Sequence, residues 1–544
     1  MSAPLHRRGR LVLWCAAATA LFGAPAASAN QQQPQQQPAL SFKPCGVTAA
    51  AASTECATAD LPLDYGRPKG AQVHIAVARV PAADKAHRIG SLFFNFGGPG
   101  GAAVDYLQAA GASRLWKTLN QRFDIVGFDP RGVGQSTPAI DCKANQQTDG
   151  IYSEPFATPL NLDVRALLTK DGGYIRSCMG NNGEILSHVS TANVARDMDA
   201  IRGLLGESKL NYLGFSYGTF LGATYASLFP GSYRAMVLDG PIDATSYINT
   251  PWKDLAEQSA GFERALARFF GACAANQTAC SGFGGADPSN AFDELVDRAN
   301  AAPISGAAYT ADPRPVTGDD INFAAIGEVY SKGLWGELGQ ALSMAQNGDG
   351  SLIRALVDGA YGRNDDGTYD PSLDRYFTIG ATEQRYPRDP SFYLSRGDEA
   401  WGQFDHTYWN NGYVELNYGL WPARDRDAYA GPFRVRGSSP TPLVVATTYD
   451  PATPYKGALR LVRDLGNARL ITMRGDGHTA YGGESACIDG AVESYLNALT
   501  LPAAGTVCRQ ETPFTAPAQP PALSRGVAAT GAQKRIVAAR VPGS

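Results

Sequence analysis

The sequence predicts an α/β protein: a mostly parallel sheet covered by helices on both faces, with an inserted, mainly helical lid. Short apolar strands alternate with helices in two stretches, residues 74–243 and 442–499, and this alternation favours parallel pairing. Between them, residues 245–433 have mostly helical periodicity. We therefore expect one sheet domain in two parts, 39–244 and 434–510, split by a lid at 245–433.

In the first part, short apolar runs end at turn residues. The run SLFFNF stops at the glycine-rich loop 97–101, and FDIVGF stops at the turn DPRG. The predicted elements of this part are strands at 74–80, 91–96, 123–128, 210–215 and 233–238, and a helix at 192–205.

In the lid, the spacing of Phe262, Leu266 and Phe269 is typical of one helix face. The strand–helix rhythm then resumes, which returns the chain to the sheet. The predicted elements of the second part are strands at 442–447 and 468–473 and helices at 455–465 and 491–499.

The two ends of the chain differ from this core. Residues 1–29 are typical of a signal peptide: a basic start, an apolar run at 11–22 and the small-residue site ASA before Asn30. The alternative is an uncleaved anchor, but the apolar run is short for a bilayer span and Pro25 follows it. Residues 30–38 (NQQQPQQQP) are a low-complexity spacer, and 511–544 predict a disordered tail.

Composition limits the classes of function. Hydrophobic residues make up 44% of the chain and charged residues 18%, so a large core is expected and general disorder is excluded. The formal net charge is -4, without the basic excess of nucleic-acid binders. No stretch after the signal is long and apolar enough to insert stably in a membrane. We expect an exported monomer, extracellular or periplasmic, that binds no nucleic acid.

The cysteines support export to an oxidising compartment. Of the 9 cysteines, Cys15 leaves with the signal, and an even number remains, which predicts four disulfides of open connectivity. A metal site is the alternative, but it lacks CxxC or clustered Cys/His spacing. The remaining cysteines fall in sequence-local pairs: Cys45 and Cys56, Cys142 and Cys178, Cys273 and Cys280, Cys487 and Cys508.

The segment GFSYG, centred on Ser216, fits the nucleophile-elbow pattern GxSxG. Glycines flank such a serine because it occupies a strained turn where a strand and a helix crowd together. An apolar strand precedes Ser216 and a small-residue helix follows it, so we predict a nucleophile rather than a structural turn serine.

A serine nucleophile needs a base and an acid. Only His406 and His478 follow Ser216, and His478 lies in a loop after a predicted strand, whereas His406 lies inside the lid. Asp450 ends the strand PLVVATTY, and the order serine, acid, histidine is the one this kind of sheet uses. Asp476 is the rival acid, but two residues from His478 it would more naturally shape the loop. We predict the triad Ser216, Asp450 and His478.

The oxyanion formed during attack needs preorganised donors. The backbone N–H of Tyr217 is one by its position after the nucleophile, and the glycine loop 97–101 offers a second, for which we choose Gly98. A dinucleotide or phosphate loop is the alternative, but GxGxxG is not matched and no phosphate-binding lysine follows. The sequence predicts acyl transfer to water with no cofactor and no metal.

These motifs resemble a known family. The loop 95–101 (NFGGPGG), the turn 129–136 (DPRGVGQS) and the elbow look like those of proline-iminopeptidase-type α/β-hydrolases. The segment DPATP at 450–454, Gly477-His478 and Cys487 to Cys508 are similar to the end of secreted bacterial tripeptidyl aminopeptidases. The resemblance implies an α/β-hydrolase fold with a lid, and a serine exopeptidase that releases tripeptides or single residues from free amino termini. One departure is that Asn95-Phe96 stands where proline iminopeptidases carry a histidine, which counts against strict proline specificity.

An exopeptidase must bind the substrate's ammonium group, and lid carboxylates would do so by charge-assisted hydrogen bonds. Each such acid is otherwise an ordinary helix-face residue, and the aromatic stretch 401–421 is otherwise ordinary packing. A carboxylesterase or lipase with the same triad is the main alternative, since fold and triad do not fix the bond cleaved. A binding protein without activity is a third, disfavoured by the intact triad. The candidate substrate-binding residues are Glu328, Asp398, Glu399, Trp401 and Trp409.

Overall fold

The computed structural model describes residues 39–517. The predicted signal peptide, the spacer and residues 518–544 of the predicted tail lie outside the described residues. Within them, ten strands form one sheet. The strands are β1 (Lys43–Pro44), β2 (Glu55–Pro62), β3 (Gln72–Val80), β4 (Gly90–Asn95), β5 (Phe123–Phe128), β6 (Leu210–Phe215), β7 (Tyr233–Asp239), β8 (Leu443–Tyr449), β9 (Arg469–Asp476) and β10 (Val507–Arg509).

The strand order is β1-β2-β3-β5-β4-β6-β7-β8-β9-β10. Pairs from β1 to β3, and β3 with β5, are antiparallel, and all pairs from β5 through β10 are parallel. The predicted mostly parallel sheet is therefore confirmed. Since β7 pairs with β8, the two parts of the sheet domain join directly across the insert.

Fifteen α-helices accompany the described sheet, and nine of them lie between β7 and β8. Those outside the insert are α1 (Val104–Ala110), α2 (Val164–Asn182), α3 (Thr191–Leu204), α4 (Tyr217–Leu228), α14 (Tyr455–Leu465) and α15 (Ala486–Ala498). Those of the insert are α5 (Ala244–Asn249), α6 (Pro251–Ala275), α7 (Pro288–Ala301), α8 (Gly318–Glu328), α9 (Trp335–Gln346), α10 (Ser351–Tyr361), α11 (Ser372–Glu383), α12 (Pro390–Gln403) and α13 (Leu416–Leu420).

Both faces of the central strands are covered. All residues of β4, β5 and β6 are buried, as expected for parallel strands between two helix layers. Phe93 packs in a cluster with residues of α3 and α4, whereas its neighbours Leu92 and Phe94 pack in a cluster with residues of α1 and α15. Because successive side chains of a strand point to opposite faces of the sheet, each strand contributes to two separate apolar clusters.

The insert contributes to two cores. Helices α6 to α10 contribute most of a separate apolar cluster, which includes the predicted face of Phe262, Leu266 and Phe269. Phe377 and Ile379 of α11 instead join the cluster that contains Phe93 of the sheet. Part of the insert is therefore packed into the sheet domain, and its action as a lid stays a prediction.

Three strands, β1, β2 and β10, were not predicted, and the structure describes the first residues of the predicted tail. Residues 511–517, assigned to the tail, contact the described protein. The Glu511 N–H donates to Glu484 O at 2.8 Å, and the ring of Phe514 lies 6.0 Å from that of Trp335. A short segment can order against a neighbour without any periodic pattern of its own.

The eight cysteines of the described chain form four disulfides, each between successive cysteines along the chain. The disulfides are Cys45–Cys56, Cys142–Cys178, Cys273–Cys280 and Cys487–Cys508.

None of the helices between residues 39 and 517 combines the length and hydropathy that a bilayer crossing requires.

Candidate active site

Ser216 lies in the sharp turn between β6 and α4. Its backbone has φ 53° and ψ -124°, a strained conformation for a residue with a side chain. A Cβ on Gly214 would lie 2.4 Å from the carbonyl oxygen of Gly218, and one on Gly218 would lie 2.6 Å from the carbonyl oxygen of Asn95. The two glycines of the elbow are therefore required by close backbone contacts on both sides of the serine.

Asp450 lies against His478, as predicted for the acid and the base. The imidazole Nδ1 is 2.9 Å from Asp450 Oδ2 and 3.0 Å from Oδ1. Asp450 is 1% exposed, and its carboxylate also accepts the N–H groups of Ala452 (2.9 Å) and Thr453 (2.8 Å). The Thr453 hydroxyl donates to Oδ2 at 2.9 Å. These bonds fix the carboxylate against Nδ1 of the ring, and in the predicted triad this would leave Nε2 for proton transfer.

Asp476, the rival acid, makes a different contact. Its carboxylate pairs with the guanidinium of Arg268 from α6, with Nη2 at 3.1 Å from Oδ2. The Arg268 guanidinium also lies 3.7 Å from the ring centre of Tyr449. Asp476 thus ties the end of β9, directly before the histidine loop, to the insert, and its role in shaping the loop stays a prediction.

The end of β7 links the serine turn to the histidine loop. The Ser216 N–H donates to Asp239 O at 2.9 Å. The next residue, Gly240, lies against the imidazole, since a Cβ there would be 3.1 Å from His478 Cε1. Ser216 and His478 therefore flank the same strand end, where the carboxyl ends of β6, β7, β8 and β9 meet.

The glycine loop contacts the elbow from the other side. A Cβ on Gly97 would lie 2.9 Å from Ser216 Cβ and 3.0 Å from Tyr217 N. The Gly97 N–H donates to Asn95 Oδ1 at 2.9 Å, so this group is engaged within the loop. That contact favours Gly98 as the second donor, beside Tyr217, to an oxyanion on a substrate at Ser216.

Helix α11 of the insert packs on the same glycine loop, a contact that the sequence did not predict. A Cβ on Gly100 would lie 2.9 Å from Arg375 Cβ and 3.3 Å from Tyr376 N. At the other end of the helix, the Glu383 carboxylate accepts the N–H and the hydroxyl of Thr191, both at 2.8 Å. The Thr191 hydroxyl in turn contacts the Tyr217 hydroxyl. Burial raises the pKa of Glu383 to about 8.

The insert also contacts the histidine loop. The His478 N–H donates to Tyr330 O at 2.7 Å, and the two rings lie 5.7 Å apart, edge to face. Glu328, at the end of α8, is two residues from Tyr330 and 5% exposed. Among the predicted substrate-binding residues, Glu328 thus lies two residues along the chain from a contact with the His478 loop, and its part in substrate binding stays a prediction.

The other predicted lid residues lie elsewhere. Asp398, Glu399 and Trp401 lie on α12, where both carboxylates are exposed and Trp401 is 39% exposed. The Asp398 carboxylate accepts the hydroxyl of Tyr413. Trp409 stacks on Phe156 with ring centres 4.6 Å apart, inside the apolar cluster to which α6 to α10 contribute. Their part in substrate binding stays a prediction.

His406 lies away from the triad, between two carboxylates. Its Nδ1 is 2.8 Å from Glu263 Oε2 and its Nε2 is 3.0 Å from Asp293 Oδ1. Although burial opposes the charged ring, bonds to Glu263 and Asp293 raise the pKa of His406. Across residues 39–517, no three His, Cys, Asp or Glu side chains are grouped to hold a metal ion.

Comparison with known proteins places this site in a family. Residues 91–322 match the family described as alpha/beta hydrolase fold, and residues 407–508 match the family described as TAP-like protein. Serine protease Hip1 of Mycobacterium tuberculosis is 35% identical over 474 residues, which cover 83% of this chain and 87% of that protein.

Two further relatives carry different names. Carboxylesterase B of Mycobacterium tuberculosis is 34% identical over 510 residues, 90% of this chain and 95% of that protein. Tripeptidyl aminopeptidase of Streptomyces lividans is 32% identical over 458 residues, 81% of each chain. The family predicted from the motifs is confirmed. The chain belongs to the α/β-hydrolase family with a TAP-like carboxyl-terminal region, and it is a serine hydrolase.

Proposed function

We propose that the protein is an aminopeptidase that releases tripeptides or single residues from free amino termini through an acyl-enzyme on Ser216. The observation that carries the proposal is the buried Asp450–His478 pair, which meets the strained Ser216 turn at the end of β7. Relatives named tripeptidyl aminopeptidase and serine protease support peptide cleavage as the reaction.

In this mechanism the Ser216 hydroxyl attacks the carbonyl carbon of the scissile peptide bond, and Nε2 of His478 takes its proton. The N–H groups of Tyr217 and Gly98 donate to the oxyanion that forms. Asp450 holds the ring and stabilises the imidazolium. His478 then gives its proton to the leaving amine, and a water molecule, deprotonated by the same ring, releases the acyl group.

Recognition of the substrate's ammonium group is assigned to Glu328. Its burial at the end of α8, two residues from the contact between Tyr330 and His478, supports this choice over the exposed Glu399. A buried carboxylate in contact with an ammonium group gains more from the charge pair than an exposed one does. The lid at 245–433 would limit access to the ends of chains.

We further propose that residues 1–29 direct export and are removed, and that the mature protein is a monomer outside the cytoplasm. Four disulfides in the described chain support an oxidising compartment. The relatives named tripeptidyl aminopeptidase support peptides with free amino termini as the substrates.

An esterase is the second candidate, because the relative named Carboxylesterase B covers 90% of this chain. The test compares hydrolysis of tripeptide anilides with free and acetylated amino termini, beside short-chain esters. We expect cleavage of the free tripeptide and little cleavage of the acetylated one. Equal rates on both would overturn the aminopeptidase proposal, and ester hydrolysis alone would favour the second candidate.

Two variants separate the chemistry from the specificity. Ser216→Ala should abolish both activities, and full activity in this variant would overturn the mechanism. Glu328→Gln should raise KM for the free tripeptide at least about tenfold, because it removes the charge that pairs with the ammonium group. Glu399→Gln is the matched control, for which KM should stay unchanged.

A further inference from the structure

Asp239, the last residue of β7, contacts both catalytic turns. Its backbone oxygen accepts the Ser216 N–H at 2.9 Å. Its carboxylate accepts the N–H of Ala480 at 3.0 Å and that of Tyr481 at 2.8 Å, and the residue is 0% exposed. One residue therefore joins the nucleophile turn to the loop that carries His478.

Both of these turns contain a strained residue. Ser216 has φ 53° and Thr479, directly after His478, has φ 69°. A β-branched residue rarely adopts a positive φ, and such a conformation persists only where neighbouring contacts hold it. Ala480 and Tyr481 directly follow Thr479, so their bonds to Asp239 hold the turn that aims the imidazole.

The charge of Asp239 is also coupled to the triad. Burial raises the pKa of the Asp239 carboxyl to about 7, and the bonds from Tyr481 and Ala480 oppose the rise. His478 lowers this pKa and Asp450 raises it, so these are the ionisable groups that the carboxyl senses. When His478 becomes an imidazolium, the ionised form of Asp239 is favoured and stabilises it in turn.

We propose that Asp239 is a positioning residue that holds the His478 turn against the Ser216 turn and stabilises the imidazolium formed during acylation. The proposal rests on the triad of the proposed function, but not on peptide specificity. Asp450 contacts the ring directly, whereas Asp239 acts through the backbone of the loop and through its charge.

The experiment measures the rate at which a fluorophosphonate labels Ser216, a reaction that needs the triad but no peptide recognition. The variant is Asp239→Asn, which keeps the size and removes the charge. Asp425→Asn is the matched control: Asp425 is also a buried carboxylate that accepts a backbone N–H at 2.9 Å, but the donor is Ser190, which precedes α3 and belongs to neither turn.

We expect Asp239→Asn to slow labelling at least about tenfold at about pH 8, and Asp425→Asn to slow it less than about threefold. The native rate should fall as the pH decreases through about 7, where the Asp239 carboxyl takes up a proton, and the Asp239→Asn rate should lack this step. Native labelling and a native pH profile in a folded Asp239→Asn protein would overturn the proposal.

Should Asp239→Asn not fold, the native profile decides, because a labelling rate that shows no proton uptake near pH 7 also overturns the proposal. Labelling that persists in Ser216→Ala would instead show that the proposed triad is wrong. Cleavage indifferent to acetylation would overturn only the aminopeptidase proposal.

Discussion

Alanine at Gly97 is expected to stop catalysis while leaving most of the fold in place. Gly97 has φ 95°, a conformation that costs a residue with a Cβ about 1–2 kcal/mol. The added Cβ would lie 2.6 Å from the carbonyl oxygen of Phe215, 2.9 Å from Ser216 Cβ and 3.0 Å from Tyr217 N. All three atoms belong to the elbow or its backbone, and no flexible side chain can give way.

The clash must therefore separate the glycine loop from the elbow. A displacement of about 1 Å takes a donor out of hydrogen-bond reach of the oxyanion, and loss of one such donor costs about 10²–10³ in kcat, or about 2.7–4 kcal/mol. We expect Gly97→Ala to lose at least about a hundredfold in kcat on both peptide anilides and esters, with a smaller change in KM.

The measurement is steady-state hydrolysis together with urea unfolding. Gly173→Ala is the control, because Gly173 lies inside α2 and an added Cβ meets no atom within 4 Å. This variant should be more stable by about 0.5–1 kcal/mol and fully active. A Gly97→Ala enzyme with native kcat would refute the contact geometry from which the prediction is drawn.

Three further changes test other contacts. Asp450→Asn should reduce kcat about 10³–10⁴-fold because it disturbs the tautomer of His478, whereas Asp476→Asn should reduce kcat less than about tenfold. Equal reductions of kcat in steady-state assays would contradict the assignment of Asp450 as the acid. Replacing Cys487 and Cys508 by serine opens a disulfide with a sequence separation of 21. This change should lower the free energy of unfolding by about 3 kcal/mol in urea titrations. An unchanged midpoint of urea unfolding would count against this prediction. Folding raises the pKa of Glu383 to about 8, so its protonated form stabilises the fold. This stabilisation is fully present at pH values below the ordinary pKa of a glutamate and is lost as the pH rises through 8. The Tm of the native protein should therefore fall relative to that of Glu383→Gln between about pH 5 and pH 9, and parallel curves from calorimetry would oppose this.

The sequence predicts the triad because each member follows a local pattern. Ser216 lies between an apolar strand and a small-residue helix, and Asp450 ends the next apolar strand after the lid. His478 lies in a glycine-flanked loop after β9. Strands and the turns that end them are encoded within a few residues, so their order along the chain suffices.

Contacts between residues that are distant in sequence cannot be predicted from such local patterns. Asp239 is one aspartate at a strand end, and only the pairing of β6, β7 and β8 brings it to both catalytic turns. Only the packing of α11 brings Arg375 to the glycine loop and Glu383 to Thr191, which contacts Tyr217. The polar–aromatic pattern of α12 predicts a helix, but it does not predict which face of the helix other elements cover. In the structure Asp398, Glu399 and Trp401 lie on the exposed face.

Their short length explains why the first and last strands of the sheet were not predicted. β1 has two residues and β10 has three, which is too short for any alternation to stand out. β10 forms because its backbone pairs with β9, with Val507 opposite Thr472. Edge pairing of this kind depends on an available neighbour rather than on the segment's own composition.

The pairing of β7 with β8 also sets the order in which activity can arise during synthesis. A ribosome completes Ser216 and the glycine loop first, then the whole insert, and only afterwards Asp450 and His478. Until β8 emerges, β7 is an open edge, and nascent chains with open edges are prone to aggregate. Each of the four disulfides closes a loop within the first part of the sheet domain, within the insert or within the second part. None of them therefore joins the two parts of the sheet domain before β7 pairs with β8. The growing chain thus carries its nucleophile for about half of its synthesis without the base that would make it hydrolytic.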